Sequence, residues 1–101
     1  MKISIKEHTQ DKALVALCGE LDSAAAETFA DEMRPFVENP VKEMIMDFSG
    51  LEYISSAGMR TLLLMSREAT QKGGKVTITG MCDNIRQIFK LTGFDAMMDI
   101  Q

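Results

Sequence analysis

The chain has no tryptophan, one histidine, two prolines and two cysteines among its 101 residues, and these scarcities exclude several kinds of site. Cys18 and Cys82 lie far apart and form no C-x-x-C pair, so the spacing fits neither a zinc site nor a redox site. We therefore expect no metal and no cofactor. We expect both thiols to be buried and to pack as small hydrophobic groups, as we also expect of the nine methionines.

Long apolar runs and an excess of basic residues are also missing. No stretch of about 18 consecutive apolar residues is present, which argues against a membrane span. Residues 1–7 alternate polar and apolar side chains and lack the apolar centre of a secretory signal. We therefore expect a cytoplasmic protein. The formal net charge of -4 and the pI near 4.9 argue against binding to nucleic acid.

The length and composition fit one globular domain over residues 1–101. Period-two patterns predict strands at 2–6 and 75–79, and a short run of apolar residues predicts a strand at 13–18. A second short apolar run predicts a central strand, covered on both faces, at 41–48. A loop is expected at 47–55. Helices are predicted after residue 22, at 56–72 and after residue 83, and a short apolar tail at 97–100 completes the order β-β-α-β-α-β-α-β. This order predicts an α/β fold with a mixed, mostly parallel sheet and an antiparallel N-terminal hairpin strand.

Capping residues and helix breakers mark the expected helix ends. Asp22 or Ser23 is expected to cap the first helix, and Pro35 to disturb it. Gly73 and Gly74 are expected to end the second helix. Asp83 or Asn84 is expected to cap the third, which carries an apolar set at 85, 88, 89 and 91 and ends at 92–93.

Two serines, Ser55 and Ser56, occupy the start of the second predicted helix. A helix N-terminus concentrates unpaired backbone N–H groups and the positive end of the helix dipole, which favours a bound or covalently attached anion. Phosphorylation at this place is therefore electrostatically tolerated. The simpler interpretation is that serine is a preferred N-cap and that Ala57 and Gly58 allow close packing of the helix.

Four segments, taken in order, resemble the STAS domain of bacterial anti-sigma factor antagonists: GELD at 19–22, DFSGL at 47–51, YISSAGMR at 53–60 and LTGF at 91–94. The resemblance covers essentially the whole chain and implies that Ser56, two residues before Gly58, is the phosphate acceptor. It also implies two protein partners: an anti-sigma factor serine kinase of the GHKL type, which the unphosphorylated antagonist binds to free a sigma factor, and a PP2C-type phosphatase that reverses phosphorylation.

Two departures from the family pattern affect what the resemblance implies. Many members have aspartate immediately before the acceptor, whereas this chain has Ser55, which makes Ser55 a competing acceptor. Many members also continue into a further C-terminal helix, whereas this sequence stops at Gln101. Partner contacts made by such a helix are therefore not expected here.

The helix after Ser56 has two distinct faces. At about 100° per residue its core side is expected to carry residues 59, 62, 63, 66 and 69. A second stripe carries Ser56, Arg60, Leu64, Arg67 and Gln71. A leucine between arginines beside the candidate phosphosite is typical of a contact patch. The alternative is that Leu64 packs on the last helix.

Two aspartates, Asp22 and Asp47, are expected to end adjacent strands on the side of Ser56. They are candidates for orienting its hydroxyl, and Asp22 is a candidate partner contact. Both are equally consistent with ordinary loop-entry or capping carboxylates that need no further function.

An enzymatic function is disfavoured by the surroundings of Ser56. Ile54 and Gly58 do not complete a G-x-S-x-G motif, and the only histidine, His8, is expected at the surface of the first hairpin. The expected protein is therefore a monomeric, phosphorylation-regulated binding module rather than an enzyme. The alternatives are a non-switching STAS scaffold subunit of a signalling or lipid-transport assembly, in which Ser56 only caps a helix, and a small hydrolase.

Overall fold

After an initial pair of strands, helices and strands alternate along the chain in a computed structural model that describes residues 1–101. The strands are β1 (Lys2–His8), β2 (Lys12–Leu21), β3 (Glu43–Ile54), β4 (Lys75–Thr79) and β5 (Asp99–Ile100). The helices are α1 (Ser23–Glu38), α2 (Ser56–Gln71) and α3 (Asp83–Thr92), followed by a 3₁₀ turn at Phe94–Ala96. The predicted order of elements is confirmed.

The five strands form one sheet in which the order along the chain is also the order in space. β1 pairs antiparallel with β2 through a tight turn, in which the Thr9 amide donates to the Lys12 carbonyl at 2.7 Å. The other three strand pairs are parallel. This confirms a single small α/β domain with a mixed, mostly parallel sheet and an antiparallel N-terminal hairpin strand.

All three helices lie on one face of the sheet. Parallel crossover connections are right-handed, and here each one advances by one strand in the same direction, which places every helix on the same side. Burial along β2 alternates accordingly: Val15 and Leu17 are buried, Ala16 is half-buried and Cys18 is exposed. β3 is the central strand, as predicted, but the expectation that both its faces are covered is wrong.

The hydrophobic core fills the space between the covered face of the sheet and the helices. Its largest fully buried side chains include one phenylalanine from each of α1, β3 and α3: Phe29, Phe48 and Phe89. Burial of a side chain of this size contributes about 1.5–3 kcal/mol. Met33 and Met46 are also fully buried, as expected of methionines that fill the core, but Met1 and Met97 are exposed, so the expectation is confirmed only in part.

The expectation that both cysteine thiols are buried is wrong. Cys18 lies on the uncovered face of the sheet and Cys82 immediately precedes α3, and both side chains are exposed. Side chains alternate between the two faces of a strand, so the register that buries Val15 and Leu17 places Cys18 on the opposite face.

Two expected irregularities, a disturbance of α1 at Pro35 and a loop at 47–55, are absent. α1 continues through Pro35 to Glu38, and the Pro35 carbonyl accepts the Asn39 amide at 3.2 Å. The proline has no N–H to donate to the Asp31 carbonyl, but both residues are exposed, so water can replace that donor. The loop expected at 47–55 is instead the second half of β3, which stays paired with β2 as far as the pair formed by Leu21 and Ile54.

The helix ends follow the predictions in part. Asp22 caps α1, and Gly73, at φ +96°, follows the end of α2. Gly93 ends α3 in the left-handed conformation. However, Cys82, not Asp83 or Asn84, occupies the N-cap position of α3, without a side-chain capping bond. Of the apolar set of this helix, Leu91 is 78% exposed.

Candidate functional site

The carboxyl ends of β2 and β3 meet the amino ends of α1 and α2 at one edge of the sheet. Leu21 and Ile54, the last residues of the two strands, are paired across the sheet. A single residue links each strand to its helix, Asp22 before α1 and Ser55 before α2, and each is the N-cap of its helix. This edge therefore presents two helix N-termini, with their positive dipole ends, on adjacent strands.

Ser55 is the structural serine of the pair. Its backbone N–H donates to the Leu21 carbonyl at 2.9 Å, and its carbonyl accepts the Met59 amide at 2.9 Å. Its hydroxyl oxygen accepts the Gly58 amide at 3.0 Å, and the side chain is half-buried. The backbone groups and the hydroxyl oxygen of Ser55 are thus engaged in joining α2 to the end of β2.

Ser56, the next residue, has no such structural task. It is the first residue of α2, it is exposed, and its side chain makes no hydrogen bond within the protein. The interpretation of Ser56 as a helix cap is wrong, because Ser55 performs that role. The two serines therefore differ in the availability of their hydroxyl groups.

Gly58 fixes how closely the start of α2 approaches the sheet. A β-carbon at this position would lie 2.7 Å from the Leu21 carbonyl oxygen and 2.9 Å from Leu21 Cγ. Neither distance is tolerated in a packed protein, so only glycine allows this approach. The close packing predicted from Ala57 and Gly58 is thereby explained, and it determines where Ser56 lies.

The two candidate aspartates do not act together. Asp22 lies at the same edge as Ser56, but its carboxylate accepts the Ala25 amide at 2.8 Å and makes no hydrogen bond to Ser56. Asp47 lies inside β3, level with Ala16 of β2, and accepts the Ser49 amide at 2.9 Å. The expectation that Asp47 ends a strand beside Ser56 is therefore wrong.

The two faces of α2 are arranged as the sequence predicts. Residues of the predicted core side are buried: Met59, Leu62, Leu63, Ser66 and Ala69. Arg60, Leu64 and Arg67 are exposed on the other stripe, and the Leu64 residue is 57% exposed to solvent. Neither arginine has a carboxylate within ion-pair distance, although Arg34 of α1 pairs with Asp31 at 2.7 Å.

The expectation that Leu64, if packed, would contact the last helix is wrong, because α2 lies against α1. Leu64 lines a groove of about 370 Å³ between these two helices, with Val37 and Met65 among its apolar walls. The remaining lining residues are Ala30, Arg34, Glu38, Thr61 and Glu68. The helical spacing of the lining residues within α1 and within α2 is present in the sequence. Only the packing of α1 against α2 brings the two groups of residues together to form the groove.

No cluster of three or more histidine, cysteine, aspartate or glutamate side chains is arranged to hold a metal ion. None of the helices combines the length and the apolar content that crossing a bilayer requires.

Proteins named as anti-sigma factor antagonists resemble this chain in sequence or in fold. A protein of Bordetella bronchiseptica named as a candidate anti-sigma factor antagonist, BtrV, is 33% identical over 85 residues, which are 83% of this chain and 73% of that protein. An anti-sigma factor antagonist of Mycobacterium paratuberculosis has the same fold, with a TM-score of 0.82 at 20% identity over 98% of this chain and 85% of that one.

The Bacillus cell fate determinant SpoIIAA, in its phosphorylated form, also has this fold, with a TM-score of 0.74 at 22% identity over 99% of this chain and 91% of that one. The STAS domain family model matches residues 2–101. That match and the 33% identity to BtrV show that this chain belongs to the STAS domain family.

Proposed function

We propose that this protein is an anti-sigma factor antagonist that is switched by phosphorylation of Ser56. In the unphosphorylated state it binds an anti-sigma serine kinase of the GHKL type, and a sigma factor is released. Its family membership and the name of its Bordetella relative support this assignment. Because these partners regulate transcription, the proposed exchange takes place in the cytoplasm.

The observation that carries the proposal is the free hydroxyl of Ser56, one residue beyond the cap. It is exposed, and the structural role at the helix start is already filled by Ser55. Phosphorylation adds about 1.5 to 2 negative charges and three acceptor oxygens. A group of this kind alters a docked surface strongly but removes no contact on which the fold depends.

The chemistry of the switch belongs to the partners. The Ser56 oxygen attacks the γ-phosphorus of ATP, the bond to the β–γ bridging oxygen breaks, ADP leaves and the hydroxyl proton passes to a base of the kinase. A PP2C-type phosphatase hydrolyses the phosphoserine and restores the hydroxyl. The chain itself needs no catalytic base, and His8 packs on Phe36 at the end of the sheet opposite to Ser56.

The proposed partner surface consists of Ser56, the exposed stripe of α2 and the neighbouring cap of α1, with Asp22, Arg60, Leu64 and Arg67 as its members besides the serine. The stripe combines an exposed leucine with two unpaired arginines, and arginine is enriched among residues that dominate binding energy. A partner that docks here covers Ser56, so phosphate at that residue opposes docking.

Phosphate transfer in vitro tests the acceptor. The wild-type protein, Ser56→Ala and Ser55→Ala are incubated with a purified GHKL-type anti-sigma kinase of the same organism and ATP, and the product is mapped by mass spectrometry. We expect phosphate on Ser56 in the wild type and in Ser55→Ala, and none in Ser56→Ala. Phosphate on Ser55, or none in the wild type, would contradict the proposal.

A non-switching scaffold is the second candidate, because the same fold occurs within much larger proteins. The fold of this chain matches 17% of the chain of SLC26A9, with a TM-score of 0.74 at 16% identity. In a scaffold, Ser56→Asp leaves binding of every partner unchanged. In a phosphorylation switch, the same substitution weakens binding of the anti-sigma kinase.

A further inference from the structure

Arg60 is an unpaired cation placed one helical turn after Ser56. Its guanidinium is exposed and has no carboxylate within ion-pair distance. By contrast, Arg34 of α1 pairs with Asp31 at 2.7 Å and Lys72, the C-cap of α2, pairs with Glu68 at 3.4 Å. Arg60 is therefore free to pair with an anion that arrives later.

Helix geometry directs Arg60 toward Ser56. Residues four apart lie on the same face, and long helical side chains lean toward the N-terminus of their helix. An acidic group that precedes a basic one by four residues is also the more favourable order, because it agrees with the helix dipole. Ser56 and Arg60 have this spacing and this order.

No other charged side chain of α2 competes for this position. The first turn of α2 contains no acidic residue, and Ala57, Gly58 and Met59 carry no charge. Arg67 lies eleven residues beyond Ser56, which is about 16 Å along the helix axis and out of reach of a phosphate there. A phosphate on Ser56 thus has one cationic side chain on α2 within reach.

We propose that Arg60 binds the phosphate of phosphorylated Ser56 and is thereby withdrawn from the partner surface. The inference rests on the proposed function only for the presence of the phosphate and of the partner. In the unphosphorylated protein, Arg60 is available to an acidic group of the partner. After phosphorylation, the same guanidinium donates to phosphate oxygens of its own chain, so the modification both adds negative charge and removes a positive contact.

The second ionisation of the phosphate reports this pair directly. Phosphoserine is introduced at position 56 by genetic encoding, in the wild-type sequence and in the Arg60→Gln and Arg67→Gln variants, and the ³¹P shift is titrated with pH. A nearby cation favours the dianion, so we expect the phosphate pKa to be lower in the wild type than in Arg60→Gln. The expected difference is about 0.3 pH unit at low salt, and it shrinks in 1 M NaCl because salt screens the pair.

Arg67→Gln removes the same charge from the same stripe and is expected to titrate like the wild type. Equal phosphate pKa values in the wild type and Arg60→Gln would overturn the proposed pairing of Arg60 with the phosphate. A pKa shift of the same size in Arg60→Gln and Arg67→Gln would overturn it as well. Because the phosphate is encoded genetically, the titration needs no kinase. If Arg60→Gln raises the phosphate pKa but no anti-sigma kinase phosphorylates the protein, the proposed function is refuted and the pairing of Arg60 with a phosphate at position 56 is still supported.

Discussion

At the scale of single residues, two adjacent serines perform different tasks. Ser55 accepts the Gly58 amide and donates its own amide to Leu21, whereas Ser56 makes no side-chain hydrogen bond. The sequence predicts a helix start at these serines but does not decide which one is the cap, because serine is favoured at the N-cap and helix boundaries are uncertain by one or two residues. The pairing of β2 with β3 decides it, by fixing where β3 ends.

Stability measurements on two alanine variants test this division. Ser55→Ala removes the capping oxygen and leaves the Gly58 amide without its partner, so we expect the free energy of unfolding to fall by about 1 kcal/mol. Ser56→Ala removes an exposed hydroxyl, and we expect a change within about 0.5 kcal/mol. Urea denaturation followed by circular dichroism measures both. A larger loss in Ser56→Ala than in Ser55→Ala would reverse the assignment of the cap.

At the scale of elements, the faces of α2 are predictable and its neighbour is not. A period of 3.6 residues separates the buried side, which includes Leu62, from the exposed stripe with Leu64, and the structure confirms both. Which helix lies beside α2 depends on the order of strands in the sheet. The length of β3 is not predictable from the sequence for a related reason. The polar residues after Phe48 suggest a loop, but pairing with β2 keeps them in the strand.

Replacing the exposed leucine by aspartate tests α2 as a contact surface. Leu64→Asp is expected to change the free energy of unfolding by less than about 0.5 kcal/mol, since the side chain is largely in solvent, and to weaken binding of the anti-sigma kinase. Leu62→Asp, two residues earlier, places a charge in the core and is expected to cost about 3 kcal/mol or more. Calorimetry of unfolding and titration of the kinase measure the two effects. A large loss of stability in Leu64→Asp would make Leu64 a core residue.

At the scale of the whole molecule, the decisive feature is that every helix lies on one side of the sheet. The sequence predicts the parallel strands and their crossovers, because alternating strands and helices permit little else. It does not reveal that successive strands are also neighbours in space, and this order is what leaves the second face uncovered. The mistaken burial of Cys18 follows from that one missing fact, since a short apolar run does not state how many faces are covered.

Thiol reactivity tests this one-sided architecture. In native protein we expect a disulfide reagent such as DTNB to modify both cysteines, because the side chains of Cys18 and Cys82 are exposed. In a variant that lacks both, a cysteine introduced by Val15→Cys lies on the covered face of β2, where the valine is fully buried. We expect it to react only after denaturation, because its native environment excludes both reagent and solvent. Protection of Cys18 in the native protein would mean that a further layer covers the second face. Rapid reaction at position 15 in a folded variant would mean that the helices do not cover the first.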